Sequence, residues 1–153
     1  MKKYKLVDIG DREFHGVELS HWLKHRKSPQ KIYFIFRQKM NTYYRKPGNK
    51  YHQLSSLPIA PGTKMFLSDI NITQKKGFGK FNLAAYWKRK YKSKMEKEPW
   101  YLLTNFENLD EVLKKYRSRM GIEAMFKDCK TGGYNLEGSQ ANTQRLTNLI
   151  LLI

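Results

Sequence analysis

Residues 4–37 read YKLVDIGDREFHGVELSHWLKHRKSPQKIYFIFR, and this stretch decides the fold. Residues 4–10 (YKLVDIG) form a short β-rich run that ends at Gly10 and Asp11. Across residues 13–25, Phe14, Val17, Leu19 and Trp22 recur at roughly helical spacing along one side, and Ser28-Pro29 stops the pattern. Residues 31–37 (KIYFIFR) are almost continuously apolar and aromatic, as expected of a strand covered on both faces. Strand, acidic residue, helix and buried strand together predict an α/β core.

Downstream the texture changes. Pro47-Gly48, Pro58, Pro61-Gly62, Gly77 and Gly79 punctuate short aromatic or β-branched runs at residues 64–72 and 78–86, a pattern that predicts antiparallel β structure over residues 38–99. Residues 100–104 (WYLLT) return to a strand-like run. Residues 109–130 hold few breakers apart from Gly121, and residues 139–153 read as a helix that ends on LILLI without a stop signal. The expected organisation is a core segment at 1–37, a basic β insertion at 38–99 and a return strand with helices at 100–153. No internal repeat is present.

The 153 residues carry 30 Lys and Arg against 13 Asp and Glu, a formal charge of +17. The excess is uneven: residues 19–95 hold eighteen basic residues and one acid, Asp69. Such a stretch repels itself unless a polyanion is near, and a nucleic-acid backbone is the leading partner. A membrane is not expected, because no apolar run reaches the ~18 residues of a spanning helix. Hydrophobic residues at 40% and aromatics at 14% argue against a disordered chain. The single cysteine, Cys129, excludes an internal disulfide framework and any multi-cysteine zinc site, which fits a reducing cytoplasm. Residues 1–5 are basic but run directly into a strand, without the apolar core of a signal peptide.

The residues that carry chemistry lie in the long C-terminal helical segment. At about 100° per residue, Tyr116, Arg119, Glu123, Lys127 and Lys130 fall within roughly 80° of arc. One reading is a solvated face on which Glu123 pairs with Arg119 and Lys127 at i, i±4. The other assigns each residue a chemical role, in which Glu123 holds a divalent metal, Arg119, Lys127 and Lys130 neutralise phosphates, and Tyr116 donates a hydrogen bond. Phosphodiester chemistry needs that combination, since carboxylates bring Mg²⁺ to the scissile phosphate and cations offset the developing charge.

The spacing Tyr116, two residues, Arg119, three, Glu123, six, Lys130 resembles the Y-R-E-K signature of one large branch of DDE transposases from bacterial insertion sequences. The resemblance covers nearly the whole chain. It implies that Glu123 is the third catalytic acid and that Asp11, in DREFHG at a strand end before a helix, is the second; both would ligate Mg²⁺, with Mn²⁺ as a substitute. It further implies that Trp100 in WYLLT stacks on a flipped base beside the cleavage point, and that Tyr116, Arg119, Lys127 and Lys130 contact DNA. The implied fold is a partial ribonuclease H-like core with an inserted antiparallel β subdomain. The implied activity is metal-dependent DNA end cleavage by activated water, followed by attack of the freed 3′-hydroxyl on target DNA. Transposon ends and target DNA are the implied partners, with a homodimer in the synaptic complex of a full-length, nucleoid-associated protein. The family's first acid is missing from the expected place upstream of Asp11. Asp8, three positions away on a strand, points to the opposite face, so the chain reads as an N-terminally truncated copy, inactive alone.

The alternative function is a non-enzymatic basic nucleic-acid-binding protein; a third is a fragment that pairs with intact transposase and inhibits it. Other signals are weaker. His21 and His25 have zinc-binding spacing but no third ligand and read as a surface pair. Gly77-Phe78-Gly79 reads as a hairpin turn. Cys129 reads as a packing residue, and Trp22, Trp87 and Trp100 as core by composition alone; only Trp100 gains a further role from the resemblance.

Overall fold

The structure, a computed structural model, describes residues 5–14, 16–27, 29–89 and 98–131. Its elements are β1 (Val7–Gly10), α1 (Val17–His25), β2 (Tyr33–Arg37), β3 (Tyr43–Arg45), β4 (His52–Gln53), β5 (Lys64–Ile72), β6 (Phe78–Tyr86), β7 (Trp100–Thr104) and α2 (Leu109–Thr131). The protein is mixed α/β, and among the described residues seven strands form one sheet of order β1-β2-β7-β6-β5-β3-β4. The described residues fall into two units, one ending at Tyr116 and one beginning at Arg117, so the boundary lies inside α2. The helix expected over residues 139–153 lies outside the described residues.

In the first unit β1 and β2 pair in parallel, Val7 opposite Tyr33 and Gly10 opposite Phe36, with α1 as their connection. Every other pairing is antiparallel. Strand β7 enters between β2 and β6, pairing Leu103 with Phe36 on one side and with Leu83 on the other. Residues 38–99 thus add β3 to β6 to the sheet that also holds β1, β2 and β7.

Alternation along the central strands sends side chains to two cores. Phe34, Phe36, Phe81, Leu83, Tyr101 and Leu103 face one side, where Val17 and Leu23 of α1 meet them. Ile35, Ala84, Trp100 and Leu102 face the other, where Phe106 and the first turns of α2 (Val112, Leu113, Tyr116) cover them. Burial on both faces explains why β2 and β7 read as unbroken apolar runs. The buried polar atoms at one end of the sheet are well paired. Thr104 Oγ1 donates to Phe34 O at 2.6 Å, and Asn105 accepts from Phe34 N at 3.0 Å while donating to Ile32 O at 2.9 Å.

Helix α1 departs from the expected face. It starts at Val17, with Arg12–Phe14 in a separate 3-10 turn, and it buries Val17, Ser20 and Leu23. Leu19 and Trp22 point to solvent, and the side chain of Phe14 lies outside the described part. The centre of the inward face is Ser20, whose small side chain lets the helix approach the sheet and whose hydroxyl donates to Gly16 O at 3.1 Å. Trp22 is therefore no core residue: two positions beyond Ser20, it lies roughly 160° round the helix.

The β5–β6 pair carries two register shifts, between Leu67 and Ile70 and between Ile70 and Ile72. Asp69 and Lys80 there adopt left-handed backbone (φ 53° and 61°), uncommon for residues with a Cβ. The hairpin turn runs from Thr73 to Gly77, closed by Gly77 N donating to Thr73 O at 2.9 Å, and Phe78 already belongs to β6.

Candidate functional site

Asp11 follows the last residue of β1, at the carboxyl end of the parallel β1–β2 pair, which is the end of an α/β sheet where ligands ordinarily bind. The 3-10 turn after it directs the Arg12 N–H onto Asp11 Oδ1 at 2.5 Å. The Arg12 guanidinium reaches across to Glu98, Nη1 to Oε1 at 2.7 Å. Arg12, Glu13, Lys39, Met40, Asn41 and Glu98 line a cleft of about 540 Å³ beside this turn. Asp8 is exposed on β1, while Asp11 is half-buried.

Asn108 precedes helix α2 as its N-cap, its side chain accepting from Glu111 N at 3.0 Å, with Asp110 and Glu111 in the positive first turn. Up to Tyr116 the helix is anchored by Val112, Leu113 and Tyr116. In the second unit, Arg119 Nη1 pairs with Glu123 Oε1 at 2.7 Å across one turn, and the Glu123 side chain is 56% exposed. Lys127 is exposed one turn further on. The side chains of Lys130 and Cys129 lie outside the described part, although both positions are on α2.

Asp11, Trp100 and Tyr116 thus belong to the first unit, and Arg119, Glu123 and Lys127 to the second. Trp100 and Tyr116 meet edge to face, centroids 5.1 Å apart, and Trp100 makes a similar contact with Tyr86 at 5.7 Å. Each of the two is only 3% exposed. In this packing Trp100 offers no free face to a flipped base, and Tyr116 anchors α2 to the sheet instead of standing on the open charged stretch beyond it. Among the described residues no three His, Cys, Asp or Glu side chains gather as a metal-holding group.

His25 is exposed, as expected of a surface histidine, whereas His21 is half-buried. The His21 ring stacks on Phe78 with centroids 4.2 Å apart, and lies 4.1 Å from His25. Burial, then the neighbouring His25 and Lys24, hold the His21 pKa below its usual value.

The basic stretch has little internal neutralisation. Its described ion pairs draw on acids outside it, Lys64 with Asp110 at 2.6 Å and Lys76 with Glu18. No helix among the described residues is long and apolar enough to cross a membrane. The chain matches no protein-family model, no curated protein and no solved structure.

Proposed function

We propose that the chain is the catalytic segment of a DDE transposase of the Y-R-E-K branch, built on a ribonuclease H-like core, which cuts and joins DNA at the ends of an insertion sequence. The observation that carries this reading is the exposed Glu123 carboxylate held by Arg119 within a cationic stretch of α2. Asp11 at the carboxyl end of β1 supports it. Of the three acids such a site needs, the reading finds two in this sequence.

Asp11 and Glu123 each carry hard carboxylate oxygens of the kind Mg²⁺ takes, and Arg119 occupies only Oε1 of Glu123 in the described contact. When bound, the metal supplies Lewis-acid activation and charge neutralisation at the phosphate. Arg119 and Lys127 hold the phosphodiester electrostatically, and Arg119 restrains the Glu123 side chain. Water adds to the phosphorus as the 3′-oxygen leaves with a proton; that 3′-hydroxyl then displaces an oxygen of a target phosphodiester, so phosphodiester bonds are exchanged without a protein-bound intermediate.

A non-enzymatic DNA-binding protein is the second reading, favoured by the same Arg119–Glu123 contact taken as an ordinary helix pair. Glu123→Gln separates the two. The assay is Mg²⁺- or Mn²⁺-dependent nicking of DNA flanking the gene, by this chain and by a chain extended with the sequence encoded upstream. Nicking by the extended chain falls at least about a hundredfold in Glu123→Gln, whereas DNA affinity holds. Nicking that survives the substitution, or is absent from the extended chain, excludes the transposase reading.

A further inference from the structure

The cavity between the end of α1 and the start of β2 has no part in that chemistry. Its volume is about 520 Å³, and it is lined by four cations, Lys24, Arg26, Lys31 and Lys80, together with Asp69 and Glu107. Lys31 and Ile32 precede Tyr33, which pairs with Val7, while Asp11 follows Gly10, which pairs with Phe36. The cavity therefore sits at the opposite end of the β1–β2 pair from Asp11.

This cavity is built, not a chance cluster of surface lysines. Asn105 bridges Phe34 N and Ile32 O, and Asn82 donates to Phe106 O at 2.7 Å while accepting from Asp69 N at 3.2 Å, so both asparagines in its lining are fixed. The left-handed backbone at Lys80 accompanies a bond from Lys24 Nζ to the Lys80 carbonyl, and the Lys24 amine lies over the Phe81 ring at 5.1 Å. Among the described residues none of the four cations has a carboxylate within ion-pair distance. Four positive and two negative side chains leave a net charge of +2 in the lining. Burial foremost, partly offset by Asp69, together with Lys80 and Lys31 holds the Lys24 pKa below its ordinary value. An arriving anion relieves that repulsion.

Arg26 links the cavity to an aromatic surface. Its guanidinium carbon lies 5.1 Å from the centroid of Trp22, which is 54% exposed. A half-open indole beside a cationic cavity matches the two halves of a nucleotide, since any base can stack on an aromatic face while its phosphate seeks cations. We propose that the cavity and Trp22 form a subsite for an unpaired nucleotide of a DNA strand, with the phosphate among Lys24, Arg26, Lys31 and Lys80 and the base on Trp22. The subsite rests on the function proposed above only in taking DNA as ligand; it uses neither Asp11 nor Glu123.

The test measures binding of the full chain to labelled oligothymidine and to a hairpin duplex by fluorescence anisotropy. Trp22→Ala weakens single-strand binding between about fivefold and about a hundredfold, changes duplex binding less than about twofold, and is largely rescued by Trp22→Phe. Lys31→Gln with Lys80→Gln lowers the single-strand salt slope by up to about 0.7, the value for the one phosphate that the four cations share. The assay reads no nicking and the cavity lining contains neither Asp11 nor Glu123, so loss of the transposase reading and loss of this one are distinguishable. The proposal is overturned if Trp22→Ala has no effect or weakens single strand and duplex equally. It also falls if inorganic phosphate, but not oligothymidine, protects Lys31 and Lys80 from acetylation, for the ligand is then free phosphate.

Discussion

Replacing Trp100 by alanine removes the largest ring from the core between the sheet and α2. Trp100 is 3% exposed and lies edge-on to both Tyr86 and Tyr116. Truncating a buried Trp or Phe to Ala costs about 3–5 kcal/mol, and each aromatic pair adds about 0.5–1.5 kcal/mol beyond area burial. Domains of this size are stable by about 5–15 kcal/mol. Trp100→Ala should therefore remove about 4 kcal/mol, about a quarter or more of the total, and loosen the anchor of α2 at Tyr116. Urea denaturation followed by circular dichroism measures the change, with Trp22→Ala as an exposed control expected within about 0.5 kcal/mol of the parent. A double-mutant cycle of Trp100→Ala with Tyr116→Leu should return a coupling of about 0.5–1.5 kcal/mol. If Trp100→Ala costs less than about 1 kcal/mol and instead impairs DNA end processing selectively, the ring leaves this core in function and its packing role is refuted.

Three further outcomes follow from the charge and hydrogen-bond pattern. If the basic stretch neutralises about six phosphates, log K for duplex DNA falls with log salt at a slope near about −5; a slope close to zero in a salt titration rejects electrostatic binding by residues 19–95. Asn105→Ala strands the buried N–H of Phe34 and the carbonyl of Ile32, bonded at 3.0 and 2.9 Å, and should cost about 1–3 kcal/mol in urea denaturation; Asn105→Asp, which keeps the acceptor for Phe34, should cost less. The pKa of His21 is held below its ordinary value of 6.5, so the fold favours the neutral ring. Its contribution is complete above that value and is lost as pH falls through the folded pKa. Stability should drop as pH falls below about 6.5 and drop less in His21→Phe; an unchanged pH profile in that variant rejects burial of the ring against Phe78.

The β1-α1-β2 unit was legible because continuous apolar runs, Gly10-Asp11 and Pro29 are local signals that need no knowledge of partners. The register of α1 was not. Phe14 precedes the helix, which starts at Val17, and the inward face centres on Ser20, a polar residue that a hydrophobic pattern passes over. That single misplacement hid the exposed Trp22 and, with it, the aromatic wall beside the cationic cavity. Strand order was equally hidden: β7 follows β6 after residues 87–99 yet separates it from β2, a choice made by long-range packing of Leu102 and Leu103 on opposite faces. Tyr116 shows why helical spacing alone leaves two roles open. It lies three residues after Leu113 and four after Val112 on the apolar side, and three before Arg119 on the charged side, so one wheel serves both readings. The Tyr116 ring is buried, whereas the described residues from Met120 to Met125 are exposed. The exposed Glu123 side chain makes a substitution there a test of chemistry, whereas one at the buried Trp100 tests the fold.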